Sequence, residues 1–149
     1  MGSQLQRFFS AQAQLLSQGR IPCLVRPYAV PLPVFLLDTM GWHVLRSRGA
    51  IVETFFAKHQ AVRAAGVGRL RACVTRERWE ADGRCEAEVT WFYIDRDGRR
   101  LGRTVANYYL SRAEDGPQID MIEFRRIAFP QLHGWFASNA VALPRGYLP

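Results

Sequence analysis

The side chains best suited to proton chemistry are few and scattered. His43 stands beside Trp42, His59 lies in an apolar stretch, and His133 sits near the C-terminal end. Asp38 follows Phe35-Leu36-Leu37 and opens the run Asp38-Thr39-Met40-Gly41. A weak base in an apolar cavity takes an activated proton only if donors hold the developing oxyanion. Asp38 or His43 as base, with Tyr28 or Tyr109 as donor, is the catalytic arrangement these residues support. His59 reads as a hydrogen-bonded core histidine, and His133 as a solvated one.

Other chemistries lack their residues. No H-x-x-x-H, E-x-x-H or carboxylate cluster points to a metal. Cys23, Cys73 and Cys85 are widely spaced with no C-x-x-C, which fits small core residues in a reducing cytoplasm. Gly66-Val67-Gly68 is too short to cradle a phosphate and reads as a helix stop, and no G-x-S-x-G occurs. No cofactor and no metal are expected. What remains is an aromatic set: Trp91, Tyr93, Tyr109 and Phe124, with Tyr28 earlier and Asn107, Glu123 and Arg125 alternating nearby. A mostly apolar lining with a few polar groups suits a small ligand.

These residues need elements to place them. Leu5, Phe8, Phe9, Leu15 and Leu16 recur at helical spacing, with Ser3 and Gln6 as a capping box and Gly19 as the stop. Pro22 suits the first turn of a short second helix. Pro31 to Leu37 predicts an edge strand, because proline cannot donate to a ladder. Trp42 to Arg46 completes a hairpin. Ser47 then caps a third helix whose stripe is Val52, Phe55, Phe56, His59 and Val62. From Arg69 the period changes to two. Asp82-Gly83 and Asp97-Gly98 mark hairpin turns, and Cys85, Ala87, Val89, Trp91 and Tyr93 alternate with polar residues. Strands over Val105–Leu110 and Ile119–Ile127 follow. The expectation is an α+β domain: N-terminal helices packed against a curved, mostly antiparallel sheet.

At 149 residues and 48% hydrophobic, the chain reads as a single domain over 1–149, with a core over 4–128. The tail, 129–149, carries Leu132, Trp135, Phe136, Val141 and Leu143, and such an apolar tail is expected to pack on the domain or its mate. No apolar run is long enough to span a membrane, and no secretory signal is evident, so a cytoplasmic location is expected. The net charge is +7, and Lys58 is the only lysine. The arginines are interleaved with acids, as in Asp95-Arg96-Asp97-Gly98-Arg99-Arg100. That pattern reads as a solvated, mixed-charge strand face, and nucleic acid is not an expected partner.

The order of elements resembles the nuclear transport factor 2-like superfamily, the cone fold shared with ketosteroid isomerases and polyketide cyclases. Three places carry the resemblance: the opening helix with Arg7-Phe8-Phe9, the Leu24-Val25-Arg26-Pro27-Tyr28-Ala29 segment, and the Gly49-to-Gly66 helix leading into the strands. It implies a curled sheet around the helices, a cavity at the wide end of the cone, and a homodimer through the sheet face. The isomerase members use a base at the end of the first strand, a tyrosine on the first helix and an acid on a later strand. Here Asp38 is the acid nearest the first position, the first helix has no tyrosine, and Asn107 stands near the third. The expected function is therefore a non-catalytic binding or interaction module for a small hydrophobic ligand. Tyr28, Trp91, Tyr93, Asn107, Tyr109 and Phe124 are the expected lining. The alternative is a cofactor-free isomerase or dehydratase acting on a hydrophobic carbonyl compound.

Overall fold

In the computed structural model, residues 3–37, 41–127 and 141–143 are described. The N-terminal unit is α1 (Gln4–Ser17), whose buried stripe is Leu5, Phe9, Gln12, Ala13 and Leu16. Ser3 caps it by accepting from the Gln6 N–H at 3.0 Å. The expected capping box is only half formed. The Gln6 side chain does not turn back; it donates to the Ala72 carbonyl and accepts from the Val74 N–H, at 2.9 and 2.8 Å. It thus ties the helix to a strand. The short α2 (Ile21–Leu24) follows, with Pro22 in its first turn.

Next come β1 (Leu32–Leu36), β2 (Gly41–Leu45) and α3 (Arg48–Ala64), the last capped by Ser47 accepting from the Ala50 N–H. The long strands are β3 (Val67–Trp79), β4 (Cys85–Asp95), β5 (Arg100–Ala113) and β6 (Gly116–Arg126), followed by β7 (Val141–Leu143). The sheet order is β3-β4-β5-β6-β1-β2-β7. All pairs are antiparallel except β1 with β6. Register shifts in the β3–β4, β4–β5 and β5–β6 ladders bend and twist the strands, as bulges do.

Two expectations are corrected. β1 is an interior strand, flanked by β6 and β2. It tolerates proline because its ladder with β6 begins only at Val34. Pro33 is paired on the β2 side alone, opposite Val44, so no β6 carbonyl waits for its missing N–H. On α3 the buried face is Ile51, Thr54, Phe55, Lys58 and Val62; Phe56 is 52% exposed. The helix is rotated relative to the expected stripe, and its lysine points inward.

The core lies between the helices and the inner face of the sheet. Phe9 is fully buried, with ring centroids 4.7 Å from Tyr108 and 6.1 Å from Trp91. Phe9 therefore anchors α1 on β4 and β5. Truncating a buried phenylalanine of this kind costs about 3–5 kcal/mol.

Candidate functional site

Strand alternation sorts the candidate residues onto two faces. Cys85, Ala87, Val89, Trp91 and Tyr93 of β4 are buried on the inner face, and Tyr108 and Phe124 join them from β5 and β6. Tyr28 also reaches this core, its ring 5.0 Å from that of Phe55. Arg48 fixes the segment before β1 by donating to the carbonyls of Val25 and Tyr28, at 2.6 and 2.8 Å. Asn107 and Tyr109 face the other way. Asn107 donates to Glu123 at 2.9 Å, and Tyr109 registers with Glu86 and Met121. The expected ligand-lining set is therefore divided: Tyr28, Trp91, Tyr93 and Phe124 lie inside, while Asn107 and Tyr109 lie outside. Tyr109 borders an outer groove of about 670 Å³ shared with Arg78, Arg84, Glu86 and Asp120.

Two pairs of inner polar groups are hydrogen-bonded to each other. The Trp91 indole N–H donates to the Tyr108 hydroxyl at 3.0 Å, and the hydroxyls of Tyr93 and Thr104 are 3.0 Å apart. Burial pushes the Tyr93 phenol up to about 12 and raises those of Tyr28 and Tyr108 well above the usual phenol range too. These phenols are donors, not bases, at neutral pH.

The residue that sequence reasoning passed over is Lys58. It is 4% exposed, although lysine is almost never fully buried. Its Nζ stands 6.0 Å from the ring centroids of Phe55 and Trp91 and 5.8 Å from that of Phe124. Burial holds its ammonium down to about 8. A signal existed. Ile51, Phe55, Lys58 and Val62 follow helical spacing, so the one lysine falls on the apolar stripe.

His43 also belongs to the inner face, since it registers with buried Val34. Its Nδ1 is buried and finds no hydrogen-bond partner among the described residues. Burial lowers its pKa, so the ring is neutral at pH 7. β1 and β6 run parallel, and Leu36 registers with Phe124. Lys58 and Phe124 therefore belong to the region near the C-terminal ends of β1 and β6, while His43 lies opposite the middle of β1. Asp38, the other base candidate, lies outside the described residues, as does His133. His59 is accounted for structurally: its Nδ1 lies 2.8 Å from the Leu16 carbonyl. The three cysteines are free thiols. No group of three potential metal ligands occurs among the described residues.

A family model described as "NTF2-like protein (DUF6841)" matches residues 1–123. A search of curated protein sequences returns no match. Solved structures agree on the fold. A protein of unknown function from Mycobacterium tuberculosis superposes with a TM-score of 0.64 at 13% identity, over 93% of this chain and 90% of that one. An NTF2-like protein with a cystatin-like fold from Novosphingobium aromaticivorans gives 0.58 at 12%, over 88% and 85%. ActVI-ORFA from Streptomyces coelicolor gives 0.58 at 13%, over 85% and 95%.

Proposed function

The chain belongs to the NTF2-like protein family, and from that premise we propose that it is a non-catalytic module binding a small apolar ligand inside the cone. The ligand class we assign is an aromatic or alicyclic body bearing one acidic group, a carboxylate or phenolate. One observation carries the reading: the sole lysine is buried against Phe55, Trp91 and Phe124. A strongly perturbed group among apolar walls is a common mark of a binding site. The rings would take the ligand body, and Lys58, with three donors, its acidic group.

The experiment is calorimetric titration with naphthalene-2-carboxylate as probe. Binding should weaken as pH rises through about 8, the pKa of Lys58, because the cation is lost. Lys58→Met should remove both the affinity and its pH dependence. Equal binding by the variant, or no binding by the folded wild type, would end this reading.

A second reading rests on His43 and its orphan Nδ1. A neutral imidazole there could serve as base in a cofactor-free isomerase or dehydratase acting on a hydrophobic carbonyl compound, with Tyr28 as the donor on that face. Proton exchange into such a compound, abolished in His43→Ala, would favour it over plain binding. We further propose a homodimer across the part of the outer sheet face around Tyr109 and Met121, away from the β4–β5 turn, and a cytoplasmic location. Three free thiols support the location. No helix of the described residues is long and apolar enough to cross a membrane.

A further inference from the structure

A second feature lies on the opposite face, at the far end of β3, β4 and β5. Phe92 points outward there, since its neighbours Trp91 and Tyr93 are buried inward. Its cross-strand partners are Arg71 on β3 and Arg103 on β5. Two guanidiniums stand over its ring, Arg71 with Cζ at 5.2 Å and Arg100 with Cζ at 4.2 Å from the centroid. Arg69, Arg96 and Arg99 complete the group, and all six arginines are exposed. None of the six forms an ion pair among the described residues.

Six arginines face two acids of the β4–β5 turn, Asp95 and Asp97. The Asp95 carboxylate is taken up by its own turn, accepting from the Asp97 and Arg99 N–H groups at 2.9 and 2.8 Å. Arg69 and Arg96 also border an open groove of about 500 Å³ at the β4–β5 turn, with Gly68, Asp95, Asp97 and Gly98. In the sequence these arginines are interleaved with acids. The β3–β4 and β4–β5 ladders bring Arg69 and Arg71 beside the 96–103 segment, and that places the charge in one spot.

We infer that this arginine-rich end of the outer sheet face binds single-stranded nucleic acid. Guanidinium forks match phosphate oxygens bidentately. Guanidiniums laid over an aromatic ring present flat cationic surfaces on which an unstacked base can lie. The surroundings disfavour other polyanions. The patch sits on a broad strand face with no helix to enter a duplex groove. Among the described residues, the one large exposed apolar side chain beside it is Leu101, 40% exposed, too little to anchor in a bilayer.

The test is fluorescence anisotropy with labelled oligothymidylate of about 15 nucleotides, a length that spans a single-domain site. With about four phosphates neutralised, the log–log salt slope should be about −3, so affinity falls roughly 50-fold between about 50 and 200 mM salt. Replacing Arg71 and Arg103 together by glutamine should make the slope shallower by about 1.4. Phe92→Leu should lower affinity several-fold at unchanged slope, because the phosphate contacts remain. The control pair Arg78→Gln and Arg84→Gln, at the opposite end of the same face beside Glu80, Glu86 and Asp82, should change nothing. Circular dichroism establishes that each variant is folded. Absence of binding, equal loss in the control pair, or tighter binding to duplex DNA or phosphatidylserine vesicles than to the oligonucleotide would overturn the inference.

Discussion

Lys58→Met should make this protein more stable at neutral pH, which is the opposite of most core substitutions. Burial lowers the Lys58 pKa from 10.5 to about 8. The native state therefore binds fewer protons than the unfolded chain between those two values. Stability rises with pH wherever the unfolded state binds more protons. The destabilising contribution of Lys58 is fully present below about pH 8, and it is relieved progressively up to the unfolded pKa near 10.5. At about 1.4 kcal/mol per pKa unit, the full effect is about 3 kcal/mol. Methionine keeps the unbranched stem and its contacts with Phe55, Trp91 and Phe124 while removing the charge. Urea unfolding near pH 7 and near pH 9.5 reads the difference. With a slope of about 2 kcal/mol/M, the variant's midpoint should lie about 1.5 M higher near neutrality. The gap should shrink by about 2 kcal/mol near pH 9.5 as the wild type recovers. A variant less stable than the wild type, or a gap that ignores pH, would refute the reasoning. Either result would mean that the ring contacts of the Lys58 ammonium outweigh its desolvation.

Three other outcomes are expected. Alkaline titration should destabilise the fold above about pH 10, because Tyr28, Tyr93 and Tyr108 ionise later in the native state than in the unfolded one; unfolding free energy that stays level to pH 12 would contradict this. Gly19→Ala should cost more than about 1 kcal/mol, since Gly19 has φ +72° and an added Cβ would come within 2.7 Å of His59 Nε2; a thermal scan reads it. Thr104→Val should remove the 3.0 Å hydrogen bond to the Tyr93 hydroxyl and cost about 0.5–1.5 kcal/mol, read as a lower urea midpoint.

The local signals in the chain were strong where one rule acted alone. Ser3 and Ser47 cap their helices as their positions implied. Asp82-Gly83 and Asp97-Gly98 turn between β3, β4 and β5, with Gly83 and Gly98 at positive φ. The alternation from Cys85 to Tyr93 separates the inner face from the outer one. Legibility failed where two rules competed. Pro33 argued for an edge strand, yet the parallel ladder with β6 starts one residue later, at Val34. Phe56 reads as part of the apolar stripe and Lys58 is left out of it, yet the packing angle of α3 exposes the first and buries the second.

What the sequence by itself determined is the element order, the α+β class and the pairing of consecutive long strands, because caps, turn residues and periodicity act over a few residues. What only the tertiary structure decided is which side chains meet. The division of Trp91 from Tyr109, the burial of Lys58 among Phe55, Trp91 and Phe124, and the gathering of Arg69 and Arg71 with Arg100 and Arg103 all depend on long-range register and helix rotation. Those are set by the sum of many weak contacts across the core, and no local run of residues encodes that sum.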